Sequence, residues 1–418
     1  MTEDKNRDKV PDILLNSLNV KGFGDSEFDF QLIRSLGVAP YGGGTIDEIL
    51  SIVPTIEAGQ PETWVKAFKE LATRSKKLAM ELMQKGDTAS AHEAFLRASS
   101  YFRAAEYYGD PRDSKTRFTG MESRDCFVYA FRSADFEFEA VRIPYGDDFI
   151  PAYWISPVSE TPGEKKRVIM MFSGFDGTSE EMYFQCGAAA LDRGYSLLLF
   201  DGPGQVGMRR FSQETPFRPD YEIPVSKIVD YLLSRGDVNP SKLALYGSSL
   251  GGYFALRAAG GEPRIKAVIA NSPITNVFQY MTGIAGKEAL ESPLDIYLDS
   301  VDEIPEQYLS KVARLKIINI ILRFGETSMK RAFEKMKEFT LRDSLSGIRI
   351  PFLGMIGESE GKIPTSQAEE AVKGVSGPST LRVFKSEEGA DSHCQFSNLP
   401  LANAVLLDWL DGVFGRRP

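Results

Sequence analysis

Ser249 is the first candidate for chemistry, because it lies in a Gly-x-Ser-x-Gly sequence with suitable neighbours on both sides. An apolar run begins at residue 243 before Gly247, and a helix-forming segment, residues 253–259, follows. This order of strand, sharp turn and helix is typical of a nucleophile elbow, since flanking glycines let strand and helix pass close together. The next apolar segment, residues 265–270, favours a further buried strand. We therefore predict that Ser249 is an activated nucleophile and not part of an ordinary turn.

The base that such a serine needs can be chosen by order along the chain. Histidine is the usual base because its pKa lies near neutrality, and the chain has only two, His92 and His393. In folds with this elbow, the acid and then the histidine follow the serine. That order excludes His92. His393 follows a strand-like segment, residues 380–384, and precedes an amphipathic helix expected over residues 401–414, so we predict it as the base.

The third member of the triad should be a carboxylate in a loop after a strand, between the serine and the histidine. Residues 350–356 favour the strand, and the loop after it contains Glu358 and Glu360. Glu360 occupies the aspartate position of a Gly-x-x-Asp-x-x-x-Pro pattern that is common in serine enzymes of this type. Its role would be to accept a hydrogen bond from the imidazole Nδ1 and fix the tautomer. Glu360 is the preferred acid, Glu358 is the alternative, and Asp391 is expected to shape the histidine loop.

An oxyanion site is expected after the buried strand over residues 167–172. The turn that follows contains Phe175 and Asp176, and a capping box, Thr178 with Glu181, then opens a helix. The backbone N–H of Phe175 and that of Leu250, directly after the nucleophile, are the expected pair of oxyanion donors. Asp176 either contacts substrate or closes the turn.

Cofactor and metal chemistry find little support in the sequence. Residues 202–207 fit Gly-x-Gly-x-x-Gly, but a loop-like segment follows where a dinucleotide fold needs a helix. With two histidines and three distant cysteines, no cluster has the spacing of a metal site, and a disulfide framework is not expected. We therefore expect neither a cofactor nor a metal.

Composition limits the class of partner. The chain has 418 residues and a net charge of −9, with no basic block, so we expect a small-molecule substrate and neither nucleic acid nor membrane. The start of the sequence is charged and lacks an apolar signal core, which favours a cytoplasmic protein. A homodimer stays open.

The hydrophobic periodicity predicts two parts. Residues 1–125 are expected to form an N-terminal helical cap domain, with amphipathic helices over 62–83 and 88–108. From Cys126 the pattern changes to β, and residues 126–418 are expected to form an α/β core with a mostly parallel central sheet flanked by helices. Within it, residues 275–345 carry helical periodicity and are expected to form an inserted lid. Two strands at the start of the α/β core, residues 135–143 and 149–155, should form an antiparallel pair joined near Gly146.

Four motifs together carry a resemblance to a known family. They are Leu96-Arg97-Ala98-Ser99-x-Tyr101-x-Arg103-Ala104-Ala105-Glu106, Gly174-Phe175-Asp176 with Glu181, Asp201-Gly202-Pro203-Gly204, and His393-Cys394-Gln395. Together they resemble the FrsA-like α/β-hydrolases, a group that includes dihydroxypseudooxynicotine hydrolase, fungal pigment-polyketide-shortening hydrolases and fusarin-type cluster hydrolases. The resemblance implies an α/β-hydrolase core, an N-terminal helical domain that closes the site, and the triad of Ser249, His393 and Glu360. It also implies that some members cleave a carbon–carbon bond beside a carbonyl in β-diketone-like substrates.

Three functions follow as alternatives. The first is a serine hydrolase that cleaves a carbon–carbon bond next to a carbonyl, or an ester, through an acyl-enzyme. The second is an acyltransferase or cyclase of secondary metabolism that uses the same acyl-enzyme, and the third is a binding module on a hydrolase scaffold. Asp176, Tyr101 and Arg103 are the candidate substrate contacts, although Tyr101 is equally suited to the core of the helical hairpin.

Overall fold

Five α-helices precede the first strand in the part of the chain that the structure describes. The computed structural model describes residues 22–132, 134–159, 163–285, 294–342 and 344–415. The Asp25 side chain caps the first helix by accepting from the amides of Glu27 and Phe28, both at 3.0 Å. Helices α3 and α4 match the predicted hairpin, and they are joined by a turn in which Gly86 has φ +80°. The five helices are α1 (Ser26–Gly37), α2 (Ile46–Ile52), α3 (Pro61–Gln84), α4 (Thr88–Tyr107) and α5 (Ser114–Arg132).

The change from helix to strand comes later than the sequence pattern indicates. Cys126 lies inside α5 and does not begin a β segment, so the predicted boundary after residue 125 falls within a helix. Cys126, Phe127, Ala130 and Phe131 are all buried, at a spacing that places them on one face of a helix. The aromatic residues of this stretch favour a strand by intrinsic propensity. Tertiary packing, which propensity does not include, makes the segment a helix.

An eight-stranded sheet forms the centre of the molecule, with the order β1-β2-β4-β3-β5-β6-β7-β8. β1 and β2 form the expected antiparallel pair, and β2 also runs antiparallel to β4. All the other neighbours are parallel, so the prediction of a mostly parallel sheet is confirmed. The strands are β1 (Phe136–Tyr145), β2 (Asp148–Pro157), β3 (Lys166–Phe172), β4 (Ser196–Phe200), β5 (Val238–Ser248), β6 (Ala267–Asn271), β7 (Phe352–Gly357) and β8 (Ser379–Phe384).

Buried side chains cover both faces of this sheet. In β3, Ile169 and Met171 belong to a core shared with the N-terminal helices, whereas Met170 and Phe172 belong to a core on the opposite face. This alternation follows from the two-residue period of a strand. Because Trp64 of α3 lies in the same core as Ile169, the N-terminal helices pack directly on the sheet.

Ten further α-helices lie between and after the strands in the described ranges. The segment over residues 275–345 is helical, as predicted, although residues 286–293 and 343 lie outside the described residues. The helices are α6 (Ser179–Met182), α7 (Ala188–Asp192), α8 (Val206–Arg209), α9 (Glu222–Ser234), α10 (Gly251–Gly261), α11 (Val277–Ala285), α12 (Lys311–Arg323), α13 (Met329–Met336), α14 (Lys362–Gly374) and α15 (Leu399–Phe414).

Candidate active site

Ser249 lies at the sharp turn between β5 and α10. β5 ends at Ser248, α10 begins at Gly251, and Ser249 between them has φ 59°, in the left-handed region that a serine rarely adopts. A Cβ atom on Gly247 would collide with the carbonyl group of Gly251. The glycines therefore allow the close approach of strand and helix that the motif predicts.

The strand order brings the predicted triad residues to one edge of the sheet. Ser249 follows β5, Glu360 follows β7 and His393 follows β8, and the carboxyl ends of parallel strands meet at the same edge. His393 Nε2 lies 2.9 Å from Ser249 Oγ, and His393 Nδ1 lies 2.6 Å from Glu360 Oε2. One imidazole therefore joins the hydroxyl to the carboxylate.

Glu360 is held by more than the histidine. It is only 1% exposed, and its Oε1 accepts from the Gly357 amide at 2.9 Å. Its Oε2, besides facing His393, accepts from the Ser272 hydroxyl at 2.7 Å. These donors compensate the buried carboxylate and fix the oxygen that faces the imidazole.

The other candidate acids and base lie elsewhere. Glu358 pairs at the surface with Lys385 at 2.7 Å, so the geometry does not favour it as the acid. Asp391 accepts from the hydroxyls of Ser359 and Ser386 at 2.6 and 2.8 Å, as expected for a group that shapes the loop. His92 Nδ1 lies 2.8 Å from the carbonyl oxygen of Ala130, among the N-terminal helices.

The surroundings of His393 favour the protonated ring. Burial by itself lowers the pKa of His393. Cys394, Tyr280 and Glu360 raise it by more than burial lowers it, so the pKa lies well above 6.5. Because a general base must be neutral, an enzyme that uses this ring would gain activity as the pH rises through that pKa.

The 173–177 loop, which follows β3, lies against the nucleophile turn. A Cβ atom on Gly174 would come within 2.5 Å of the Leu250 amide nitrogen, so only glycine fits there. Within the described part of the chain, the amides of Phe175 and Leu250 donate to no protein acceptor. Both residues, with Ser249, line one cavity. This arrangement suits the predicted pair of oxyanion donors.

Three side chains that the sequence did not single out for this purpose bind carbonyl oxygens of the same loop. Each side chain comes from a different segment of the chain, so the loop is fixed from several directions. The bonds run from Gln205 to the Ser173 carbonyl, from Arg323 to the Phe175 carbonyl and from Arg103 to the Asp176 carbonyl. Gln205 lies in the Gly-rich 202–207 segment, which therefore has a role in positioning this loop.

The cavity in front of Ser249 has a volume of about 220 Å³. Its walls come from the sheet edge, from α11 and α12, and from the N-terminal helices. Tyr107 and Tyr108 of α4 line it, as do Arg103 and Asp176, two of the three predicted substrate contacts. The cavity thus lies where the N-terminal helices and the inserted helices face the triad.

Tyr101 does not line this cavity, contrary to the hypothesis of a substrate contact. Its hydroxyl donates to Glu48 Oε2 at 2.7 Å and accepts from the Thr45 amide at 3.0 Å. The residue is 1% exposed and packs within the core of the N-terminal helices. Its position on α4 directs the ring towards α2, so it stabilises the contact between these helices.

Asp176 and Arg103 belong to an ion-pair network between the N-terminal helices and the core. Arg34 of α1 lies 3.2 Å from Asp176 Oδ1 and 2.8 Å from Glu181 Oε1, and Arg103 Nε lies 2.8 Å from Glu181 Oε2. Burial by itself raises the pKa of Asp176. The charges of Arg34, Arg103 and Arg323 lower it by more than burial raises it, so its pKa falls below 3.8. Sequence reasoning missed Arg34, because nothing near it in the chain signals a partner 142 positions away.

Two buried carboxyl groups, those of Asp201 and Glu180, lie near each other. Asp201 Oδ2 accepts from the Ser179 amide at 3.0 Å, whereas Asp201 Oδ1 and Glu180 Oε2 are buried without a hydrogen-bond partner in the described residues. Burial, followed by the charge of Glu180, raises the pKa of Asp201 to about 7. The Asp-Gly-Pro-Gly turn thus carries a buried carboxyl group whose charged form is unfavourable.

Metal ligands do not come together in the described part of the chain, where no group of three or more His, Cys, Asp and Glu side chains could hold an ion. The cysteines Cys126, Cys186 and Cys394 are buried and free. Among the described residues, no helix is long and apolar enough to cross a membrane.

Comparison with known proteins identifies the family. Residues 224–305 match the model of the prolyl oligopeptidase family. Hydrolase LUC6 from a Fusarium species is 30% identical, over 94% of this chain and 98% of its own length. The chain belongs to the FrsA-like α/β-hydrolases. The 20-hydroxy-prefusarin hydrolase FUS2 from Gibberella moniliformis is 29% identical to this hydrolase, over 94% of this chain and 98% of the relative.

A solved structure supports the same fold. The structure of 2,6-dihydroxy-pseudo-oxynicotine hydrolase superimposes with a TM-score of 0.69 at 21% identity, covering 90% of this chain and 95% of the other. At that identity the similarity shows the fold, which is the α/β-hydrolase fold. With the hydrolase relatives and the family match, this fold makes the protein an α/β-hydrolase-fold enzyme.

Proposed function

We propose that this enzyme is a serine hydrolase that forms an acyl-enzyme on Ser249. The observation that carries the proposal is the pair of hydrogen bonds made by His393, at 2.9 Å to Ser249 Oγ and at 2.6 Å to Glu360 Oε2. A hydroxyl at a strained turn, an imidazole and a buried carboxylate in this order are the parts of a nucleophilic triad. Glu360 would keep the proton on Nδ1, so that Nε2 is free to accept one.

The chemistry follows from these positions. Ser249 Oγ attacks a substrate carbonyl carbon while its proton passes to His393 Nε2, and the amides of Phe175 and Leu250 stabilise the oxyanion. The bond to the leaving group then breaks, and the leaving group takes the proton from Nε2. Water then attacks the acyl-enzyme while Nε2 takes one of its protons, the bond from the acyl carbon to Oγ breaks, and Nε2 returns that proton to Oγ as the acid leaves.

The leaving group defines the substrate class. An ester would lose an alcohol, and a β-diketone-type or polyketide-type substrate would lose an enolate that takes up a proton at carbon. The triad has no electron sink of its own, so the second route needs a leaving carbanion that the substrate delocalises. The relative FUS2, named for a hydrolase of 20-hydroxy-prefusarin, supports a substrate from secondary metabolism.

A fluorophosphonate probe tests the nucleophile directly. We expect labelling of the wild-type protein, loss of labelling in Ser249→Ala, and retention in Ser248→Ala, which alters the adjacent buried serine of the same motif. Turnover of aryl esters and aryl β-diketones, measured with water and an amine in competition, then separates hydrolysis from acyl transfer. Labelling that survives in Ser249→Ala, or an unlabelled wild type above the pKa of His393, would contradict the proposal.

A further inference from the structure

Apart from Arg117, which is exposed, two arginine side chains of the cavity have no carboxylate partner within the described part of the chain. They are Arg209 at the end of α8 and Arg323 at the end of α12. Arg323 is 7% exposed and donates to Asn319 Oδ1 at 2.9 Å and to the Phe175 carbonyl. Among the described residues, Arg209 makes a single hydrogen bond, at 3.3 Å, to the Leu322 carbonyl. Both guanidinium groups therefore keep N–H donors for a ligand.

The carboxylates nearest to these arginines are already paired with other arginines. Asp176 Oδ1 lies 3.2 Å from Arg34 Nη1, and Glu106 Oε2 lies 3.1 Å from Arg103 and 2.7 Å from Arg210. These pairs belong to the ion-pair network between the N-terminal helices and the core. Arg209 and Arg323 thus form no ion pair with the network, although Asp176 and Glu106 offset part of the cost of burying Arg323.

The cavity as a whole has an excess of positive charge. Seven arginine and lysine side chains but only three carboxylates line it, although the chain carries a net charge of −9. Burial lowers the pKa of Arg209 to about 10. Burial, followed by the charge of Arg209, lowers that of Arg323 to about 9. Two neighbouring cations in a partly desolvated cavity destabilise each other, and an anion bound between them would offset that cost.

We propose that Arg209 and Arg323 form a subsite for an anionic oxygen pair of the substrate, either a carboxylate or the enolate of a 1,3-dicarbonyl group. This inference rests on the proposed function, because it places the anion beside the carbonyl that Ser249 attacks. Arg323 donates to the carbonyl of Phe175, whose amide is the proposed oxyanion donor, so subsite and reaction centre share one loop. Planar guanidinium groups match an oxygen pair by two parallel hydrogen bonds.

Binding without turnover provides the first test. In Ser249→Ala, calorimetry should show 3-phenylpropanoate binding at least about tenfold more tightly than 3-phenylpropanamide. A second arm compares the enolate of dimedone with neutral 3,3-dimethylcyclohexanone and separates the enolate source from the carboxylate source. Adding Arg209→Gln should weaken the favoured anion by about tenfold to a hundredfold, and Arg209→Lys should retain part of its affinity. Arg209 is chosen because Arg323→Gln would also release the 173–177 loop.

The matched control is Arg112→Gln, which removes the same charge from a surface arginine paired with Asp110 and Asp302. It should leave anion binding within about twofold, since solvent and salt screen a surface charge. Equal binding of acid and amide, equal binding of enolate and ketone, and an anion affinity that Arg209→Gln does not change would together overturn the subsite. If the fluorophosphonate fails to label the wild type while the Arg209-dependent anion preference holds, the serine-hydrolase proposal falls and the subsite stands.

Discussion

Glu360→Gln is the sharpest test of the proposed triad, because it changes one atom and keeps the shape of the side chain. The carboxylate accepts from the Gly357 amide at 2.9 Å through Oε1, and from the Ser272 hydroxyl at 2.7 Å and His393 through Oε2. The glutamine oxygen would keep the bond from Gly357, and its NH₂ group would then replace Oε2. The NH₂ group can donate to Ser272 Oγ. Because it also faces His393 and has only donors, Nδ1 must become an acceptor.

The expected loss follows from that change of tautomer. A neutral ring that accepts at Nδ1 carries its proton on Nε2, which then cannot take the proton of Ser249. Loss of the correct tautomer in a triad lowers kcat by about 10³-fold to 10⁴-fold, or about 4–5.5 kcal/mol of transition-state stabilisation. Since the three hydrogen bonds persist, with donor and acceptor exchanged in those to Ser272 and His393, the free energy of unfolding should change by only about 1 kcal/mol.

The pH dependence gives an independent readout. Because the pKa of His393 is raised well above 6.5, the wild-type kcat/KM should rise as the pH passes through that pKa, where the ring loses its proton. Glu360 is one of the groups that raise this pKa, after Cys394 and Tyr280. In Glu360→Gln the residual activity should therefore rise at lower pH than in the wild type.

The assay is steady-state hydrolysis of an aryl ester from pH 5 to 10, with urea unfolding to verify the fold. Glu358→Gln is the matched control, because the same chemical change at a surface carboxylate paired with Lys385 should leave kcat within about twofold. The reasoning would be refuted if Glu360→Gln kept more than about a tenth of the wild-type kcat, or if Glu358→Gln lost as much.

Three further predictions follow from the same structure. Gly174→Ala should lower kcat by about 10²-fold to 10³-fold with little change in KM, because its Cβ would meet the Leu250 amide at 2.5 Å and displace an oxyanion donor. The pKa of Asp201 is raised to about 7 from 3.8, so the folded state binds a proton that the unfolded state lacks between these pH values. The free energy of unfolding, measured in urea, should fall by ~1.4 kcal/mol for each unit by which the pH rises between these values. Asp201→Asn should remove that fall. Tyr101→Phe should lower the free energy of unfolding by about 1 kcal/mol, through loss of the bond to Glu48, and leave kcat/KM unchanged in an ester assay.

The sequence carries enough information for the sheet and for the positions of the triad residues. β7 is a short apolar run between Pro351 and Gly357, and β5 ends in an apolar run before Gly247, a pattern that favours buried strands in an α/β chain. β8 is less apolar, and its position before the histidine loop supports its assignment. With the order of nucleophile, acid and base known for the elbow, a chain with two histidines leaves one candidate base. Local pattern and chain order thus suffice to propose Ser249, Glu360 and His393 together.

Long-range ion pairs are what the sequence could not supply. Arg34 lies in an ordinary amphipathic helix, and nothing local marks it as the partner of Asp176. No positioning role is predicted for Gln205, because its partner, the Ser173 carbonyl, lies 32 positions earlier in the chain. The end of α5 was missed for a related reason, since Cys126 and Phe131 form a helix through packing that propensity alone does not reveal.

The contacts of the 173–177 loop explain why the N-terminal helices belong to the catalytic unit and do more than cover it. The loop's carbonyl groups are bound by the core, by the inserted helix α12 and by α4, through Gln205, Arg323 and Arg103 respectively. Without α1 and α4, Asp176 and Glu181 would lose Arg34 and Arg103. Asp176 is 36% exposed, so water would replace part of that pairing, whereas Glu181, at 14% exposed, would be left largely buried and unpaired. The loop would also lose the bond from Arg103 to the Asp176 carbonyl. The geometry of the proposed oxyanion site therefore depends on α1 and α4, which end 142 or more positions before Ser249.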